Sequence, residues 1–370
     1  MKLTIDRNAL MRALSHVQAV VERRNTIPIL SNILMSAEGD RLSLTATDLD
    51  IEATDAAEAK VKKSGAITAP AQTLFDVVRK LPEGSEIALE LTDGRLAISS
   101  GRSRFALPTL PAADFQTMAR EESPTKFEVG AAELRRLIDK TRFAISTEET
   151  RYYLNGIYLH HAKGADGNVL RAVATDGHRL ALADAKAPKG SNTLKGIIVP
   201  RKAVAEARRL LDDAPETVTV EASDSKIVFR IGEAVLTSKL IDGSFPDYQR
   251  VIPKDNTKIL VVDNKSFSAA VDRVATVSAE RSRSVKLSLS SGKLTLAVSH
   301  SETGQGTEEL EASYDSDPIE IGFNAKYLLD VAQQIESEET RIEFNDASSP
   351  ARVLDAKDSG AQYVLMPLRV

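Results

Sequence analysis

The chain has no cysteine in its 370 residues, which excludes disulfides and thiolate metal sites and fits a reducing cytoplasm. It also lacks any unbroken apolar run near the roughly 20 residues that span a bilayer, so no membrane partner is expected. The opening Met1-Lys2-Leu3-Thr4-Ile5-Asp6 meets an acid before a signal-peptide core could form. Catalytic signatures are missing as well: there is no P-loop, G-x-G-x-x-G turn, H-E-x-x-H helix or G-x-S-x-G elbow. Of the five histidines, at 16, 160, 161, 178 and 300, only His160 and His161 are close in sequence. Neighbours on a strand face opposite ways, so a shared metal is not expected there. Asp176-Gly177-His178-Arg179 reads either as a base with an orienting acid or as a turn around Gly177; no nucleophile signature accompanies it.

What is present is enough for a large core. Apolar residues make up 42% and charged residues 27%, and the length suits two or three domains. Three segments open alike. Lys2-Leu3-Thr4-Ile5 leads into Leu10, Leu14 and Val17; Lys126-Phe127-Glu128-Val129 into Leu134, Leu137 and Ile138; Ile259-Leu260-Val261-Val262 into Phe267, Val271 and Val274. Each is a short strand running into an apolar pattern of helical period. Midway between them stand Ala66–Pro70, Gly196–Pro200 and Ile319–Phe323, each followed by another such pattern. Strands of period two follow every helix, as in Ile87, Leu89 and Leu91, with turns such as Asp93-Gly94. The pattern predicts an α+β chain of six strand-helix-strands modules, paired into domains at 1–120, 121–250 and 251–370. Arg120–Pro124 and Gly243–Pro253 are the expected linkers.

Charge separates along this plan. The six helical segments, near 6–24, 71–81, 131–142, 201–212, 265–281 and 325–336, hold 18 basic against 11 acidic residues, within a chain of net charge −5. The strands and loops are therefore acidic. The candidate basic face comprises Arg7, Arg12, Arg23, Arg24, Arg79, Lys80, Arg135, Arg136, Lys140, Arg142, Arg201, Lys202, Arg208, Arg209 and Lys265. One reading is a surface facing a polyanion. The other is a set of solvated helix faces and residues that offset helix dipoles.

Several motifs then occur in order: Gly101-Arg102-Ser103-Arg104-Phe105, Thr109-Leu110-Pro111-Ala112-Ala113-Asp114-Phe115, Arg151-Tyr152-Tyr153-Leu154-Asn155-Gly156, Ala174-Thr175-Asp176-Gly177-His178-Arg179-Leu180, Val199-Pro200-Arg201-Lys202 and Phe245-Pro246-Asp247-Tyr248. The chain closes on Tyr363-Val364-Leu365-Met366-Pro367-Leu368-Arg369-Val370. As an ordered set spanning the whole length, they resemble the bacterial DNA polymerase III beta subunit, the sliding-clamp family. That resemblance implies three repeated clamp domains and a head-to-tail homodimer, with helices lining a ring and antiparallel sheets outside. It implies encirclement of double-stranded DNA without base reading, and no catalysis, metal or cofactor. A ring held by topology needs only a diffuse positive field inside.

The resemblance also implies sites. DNA contacts fall on Arg24, Tyr152, Tyr153 and Lys202, to which the charge pattern adds Arg79, Arg136, Lys140 and Arg201. Glu148 and Gln72 depart from the family pattern, which has an uncharged polar residue and a basic residue there. A cleft for short linear motifs of the replicative polymerase alpha subunit, the clamp loader, other polymerases and repair proteins is implied at Leu154, Thr175, Gly177, His178, Arg179, Leu180, Pro246, Arg250, Val251, Asn324, Tyr327, Ser349, Val364, Met366, Pro367, Leu368 and Arg369, with Arg179 and Arg250 at its rim. The dimer seam is implied at Arg102, Arg104, Phe105 and Leu107 against Thr276 and Val277, with Glu302, Glu308 and Glu309 as ion-pair partners. The rivals are a hydrolase centred on Asp176 and His178 and a repeat scaffold that binds proteins but not DNA.

Overall fold

Six strands run straight into helices, with no residue between. Lys2–Asp6 enters α1 (Arg7–Gln18), Gly65–Pro70 enters α2 (Ala71–Lys80) and Thr125–Gly130 enters α3 (Ala131–Thr141). Ile197–Pro200 enters α4 (Arg201–Leu210), Lys258–Asp263 enters α5 (Asn264–Ala275) and Ile319–Asn324 enters α6 (Ala325–Ala332). The junction residues explain the abruptness. The Asp6 carboxylate accepts from the Asn8 and Ala9 amides at 2.8 and 3.0 Å, Asp263 accepts from Ser266 at 2.8 Å, and Asn324 accepts from Lys326 at 2.9 Å. This computed structural model describes residues 1–22, 26–119, 122–278 and 283–369.

The helices are shorter than their sequence pattern. After α1, the Val20 and Val21 amides bond Val17 and Gln18 at 3.3 and 3.1 Å; after α5, those of Thr276 and Ser278 bond Arg273 and Ala275 at 3.2 and 3.0 Å. These are three-residue turns, and the β-branched Val20-Val21 and Thr276-Val277 pairs sit where the wider helix gives way.

The chain forms two compact units. The first comprises Met1–Arg135, Pro188–Leu194 and Lys202–Leu240. Its five-stranded sheet is ordered Lys60–Lys63, Lys2–Asp6, Glu86–Thr92, Arg95–Ser100 and Ser103–Pro108. Asp93 and Gly94, both with positive φ (49° and 71°), make the tight turn of its central hairpin. Its eight-stranded sheet is ordered Thr125–Gly130, Thr217–Ala222, Lys226–Ile231, Ala234–Lys239, Ile51–Glu58, Arg41–Thr47, Asn32–Glu38 and Gly65–Pro70. Leu10, Ala13, Leu14 and Val17 bury one face of α1 against α2 and the strand Ile51–Glu58.

The second unit comprises Arg136–Ala187, Lys195–Arg201 and Ile241–Val370. Its eight-stranded sheet is ordered Ile197–Pro200, Gly156–Gly164, Gly167–Thr175, Arg179–Lys186, Ala361–Leu365, Ala351–Asp355, Glu339–Phe344 and Lys258–Asp263. A four-stranded sheet, Gly304–Glu311, Lys293–His300, Ser284–Ser290 and Ile319–Asn324, completes it, with α5 packed on α6. Neighbouring strands are antiparallel in each sheet. Among the described residues no helix is long and apolar enough to cross a membrane.

Candidate functional site

The strand Gly167–Thr175 turns back into Arg179–Lys186 through three residues that are fixed from several sides. Asp176 Oδ1 accepts from the His178 and Arg179 amides at 2.9 and 3.0 Å. The Thr175 hydroxyl donates to the Arg179 carbonyl at 2.7 Å and accepts from the Gly177 amide at 3.1 Å. Gly177 has φ +87°, a backbone conformation that side chains strain to adopt, so glycine is favoured there. The turn delivers Leu180 opposite Val364 of the strand Ala361–Leu365, and the Met366 amide then bonds the His178 carbonyl at 2.9 Å.

Beside this turn lies a cavity of about 230 Å³. Leu154, Leu180, Pro246, Val251, Val364 and Met366 supply its apolar lining, with Thr175, Gly177, Arg179, Asp247 and Tyr248 between them. The volume is below the roughly 300–1,000 Å³ of drug-sized pockets and suits a few apolar side chains. Its polar groups are already engaged. Arg179, 7% exposed, donates to Asp176 Oδ2 at 3.2 Å, to Asp330 and to the Phe143 carbonyl at 2.6 Å. Its guanidinium also lies 4.4 Å from the Tyr327 ring centroid and 5.2 Å from that of Phe143. Asp247 pairs with Arg250 at 2.8 Å, and the Tyr248 hydroxyl lies 3.0 Å from His160 Nε2. The cavity can therefore bind apolar groups and offers no unpaired charge.

Nine of the implied cleft residues line this cavity. Arg179 corrects the expectation of a rim charge, because it is a buried pillar, whereas Arg250 is exposed. Of the others, His178 is exposed and stacks near Tyr327, with centroids 6.4 Å apart. Burial raises the Tyr327 phenol pKa, helped by Asp176. Asn324 caps α6, Ser349 donates to Asp346, and the Leu368 amide bonds the Gly322 carbonyl. Pro367 is half-buried and Arg369 exposed. Asp247 and Tyr248 also line the cavity; they stand in the Phe245-Pro246-Asp247-Tyr248 run, of which the resemblance implies only Pro246.

The acid–base reading of Asp176 and His178 finds no geometric support, since both Asp176 oxygens serve the turn and Arg179. Among the described residues no three metal-ligating side chains gather.

The basic candidates divide into two groups. Lys140 and Arg136 do not present free cations, which corrects the expectation for both. Lys140 is buried, donating to the Gln334 carbonyl and pairing with Glu336 at 2.7 Å. Arg136 grips both Asp358 oxygens at 3.1 and 2.9 Å and donates to the Asp184 carbonyl. Arg7 likewise turns inward to the Val78 and Arg79 carbonyls at the end of α2, and Arg209 to those of Ser15 and His16. Charge on these helices is partly engaged by carbonyls and by the acids Asp358 and Glu336.

Arg12, Arg79, Lys80, Arg201 and Lys265 are exposed, and Tyr152 is 53% exposed with its ring edge-on to Tyr153. Lys202 sits between Asp48 and Glu22; partial burial lowers its pKa, but the hydrogen bonds to these acids outweigh that and raise it. Glu148 is paired with Arg151 at 3.2 Å, and Gln72 donates to Asp76 at 2.9 Å. Arg24 lies outside the described residues.

At the implied seam, Ser103–Pro108 is the edge of its sheet, with Arg102, Arg104 and Phe105 exposed. Leu107 is instead buried in its own unit, where it stands opposite the buried Leu96 of the neighbouring strand, a correction to the implied seam. Thr276 is exposed and Val277 half-buried against Gly306. The strand Gly304–Glu311 is also a sheet edge, which the sequence reading missed.

Comparison with known proteins agrees across the full length. Family models for the N-terminal, central and C-terminal domains of the DNA polymerase III beta subunit match residues 1–119, 128–247 and 249–369. The beta sliding clamp of Caulobacter vibrioides is 59% identical over 372 residues, covering 100% of both chains. That of Pseudomonas putida is 40% identical over 371 residues, again with 100% of both covered. A crystal structure of the Caulobacter crescentus clamp with PEG bound superposes with a TM-score of 0.97 at 59% identity, covering 100% of this chain and 99% of that one. The Bartonella birtlesii clamp bound to griselimycin gives a TM-score of 0.97 at 49% identity, with 100% of both chains covered.

Proposed function

This chain belongs to the bacterial DNA polymerase III beta subunit family, the sliding clamps, and from that premise we propose which of its surfaces do the family's work. It is a DNA sliding clamp: two copies close into a ring around duplex DNA and tether the replicative polymerase for processive synthesis. It acts without catalysis of its own, in the cytoplasm at the nucleoid. The domains divide at 1–120, 121–250 and 251–370.

The cleft around Leu180, Val364 and Met366 takes apolar side chains from short linear motifs of the polymerase alpha subunit, the clamp loader, other polymerases and repair proteins. The observation that carries this reading is its lining: apolar walls around polar groups that are already satisfied. Such a hole gains from burying an apolar group and loses nothing by unpairing a charge. Griselimycin, bound by the Bartonella clamp, is a ready probe of it.

The exposed cations Arg79 and Arg201, with Lys202, Tyr152, Tyr153 and Arg24, face DNA as a diffuse positive set. Arg136 and Lys140 hold the fold instead. The seam joins the edge strand Ser103–Pro108 of one copy to the edge Gly304–Glu311, beside Thr276 and Val277, of the other. Arg102 and Arg104 then meet a strand carrying Glu308, Glu309 and Glu311. Exposed ion pairs are worth roughly 0–1 kcal/mol each, so they set register while Phe105 supplies burial.

The test is retention on DNA after loading by the matching clamp loader, with a nicked circle compared against the same plasmid linearised. Survival on the circle and rapid loss from the linear form are expected. Equal retention on both would mean ordinary surface binding and would end the ring reading. Reversing Arg79 and Arg201 to Glu is expected to lower the amount loaded while leaving survival on the circle unchanged.

A further inference from the structure

The cleft wall at Pro246, Asp247, Tyr248 and Val251 comes from a segment with one short turn of 3-10 helix, Tyr248–Arg250. Tyr248 is what anchors it. Its buried ring packs on Val173, Leu180, Leu182 and Val364, two of which also line the cleft. A phenol buried this deeply needs hydrogen-bond partners. It has two, and neither lines the cavity: His160 Nε2 at 3.0 Å and Arg171 Nη1 at 3.3 Å.

The proton directions follow from chemistry. His160 Nδ1 lies 3.0 Å from the His161 carbonyl, which can only accept, so Nδ1 carries the hydrogen. Nε2 of the neutral ring then accepts from the Tyr248 hydroxyl, whose oxygen in turn accepts from Arg171. Arg171 is itself fixed by Asp184 through bonds of 2.6 and 2.7 Å. Tyr158 stacks on His160 at 4.6 Å and on Phe245 at 4.9 Å, so one ring grips both the imidazole and the start of the wall.

We propose that His160 and Arg171 are positioning residues of the cleft, holding the Tyr248 phenol and with it the Pro246–Val251 wall at the spacing a partner's apolar side chain requires. The proposal rests on reading the cleft as the partner site. It adds that residues which never touch the partner set its affinity.

Acid supplies a readout that simple packing would not. Burial lowers the His160 pKa; Arg171 and His161 act the same way, and the His161 carbonyl and Asp184 oppose them. The groups facing the imidazole are Arg171, Asp184, His161, Tyr158 and Tyr248. As pH falls below the ordinary histidine range and through this lowered value, a second N–H forms against the phenol. The phenol oxygen can accept that N–H, but its own hydrogen then has no acceptor, so the wall is held less firmly and affinity falls.

The experiment is calorimetric titration of the purified full-length protein with griselimycin, alongside thermal melting. Tyr248→Phe, His160→Phe and Arg171→Met are expected to weaken binding roughly three- to tenfold, the worth of one net hydrogen bond. His160→Gln, whose amide oxygen can accept from the phenol, is expected to recover most of that loss and to abolish the weakening in acid. Should Arg171→Met fail to fold, the near-isosteric Tyr248→Phe carries the test. Met366→Asp is the control for the cleft itself. Weakening by Met366→Asp with no change in the Tyr248 and His160 variants would overturn the positioning role. Full affinity in Met366→Asp would sink the reading of the cleft on which it rests.

Discussion

The two eight-stranded sheets share a plan and differ in the cavity each carries. Each is completed by a distant pair of strands, Ala234–Lys239 on Ile51–Glu58 in the first unit and Arg179–Lys186 on Ala361–Leu365 in the second. In the first, Thr117–Ala119 and Ser123 lie over the sheet and leave a groove of about 510 Å³. In the second, Pro246–Val251 leaves the smaller cleft of about 230 Å³. The larger cavity is the poorer site. Its sheet face presents Thr45, Thr54 and Thr237, and its charges hold the chain's own segment: Glu52 accepts from the Met118 amide at 2.7 Å and Lys226 donates to the Ala119 carbonyl at 2.8 Å. An apolar guest there would strip water from hydroxyls and replace nothing. Lining chemistry, more than volume, separates a binding cleft from a seat for the chain itself.

The sharpest way to break this contrast is to place one carboxylate in each cavity. Met366→Asp, at a residue 39% exposed and so tolerant of charge in the free protein, is expected to cut griselimycin affinity on the order of a hundredfold. Thr237→Asp in the groove is expected to leave it unchanged. Equal losses in calorimetric titrations would mean that the guest does not distinguish the two cavities.

Next in size is stability. Arg179→Leu strands Asp176 and Asp330 without their guanidinium and is expected to cost about 2–4 kcal/mol in urea unfolding. Lys226→Met, removing a partly exposed cation from the groove, is expected to cost less than about 1 kcal/mol. A third comparison uses salt. Because the charged liners of the cleft are already paired, raising sodium chloride from about 0.1 to 1 M should change griselimycin affinity less than roughly twofold. A steep salt slope would reveal a cation in the cleft that is free to meet a ligand.

These contrasts were unevenly legible in the sequence. The six strand-to-helix junctions were readable because a short apolar strand gives way to helical period at Asp6, Pro70, Gly130, Pro200, Asp263 and Asn324. The helix ends were not, since three-residue turns after Gln18 and Ala275 continue the apolar spacing. Basic residues could be counted but not shown to be free, because their partners lie far along the chain: Arg7 at the Val78 and Arg79 carbonyls, Lys140 at Glu336, Arg136 at Asp358. The cleft was reached through resemblance, which named Leu180, Val364 and Met366. Tyr248 escaped because a tyrosine between Asp247 and Gln249 looks like any loop aromatic until its hydroxyl is traced to His160 and Arg171.

The smallest expected effect tests whether the groove's charges serve folding alone. Glu221 lines the groove and accepts from Arg230 at 3.1 and 3.2 Å, with Lys126 also at 3.1 Å. The Arg230 hydrogen bonds first, then Lys126, hold its carboxyl pKa below the ordinary glutamate value, with partial burial opposing. A folded-state pKa below the unfolded one gives stability that is fully present above the unfolded value and lost as pH falls through the folded one. Glu221→Gln is therefore expected to cost under about 1 kcal/mol at neutral pH, because Arg230 is half exposed and its attraction is screened. That difference should shrink to nothing in acid, when the wild-type carboxyl is itself protonated, and it is read from paired urea melts across the carboxylate range. Griselimycin titrations of the same variant at neutral pH should match the wild type. A loss of affinity there would couple the polar groove to the apolar cleft and end the separation between a seat for the chain and a site for a partner.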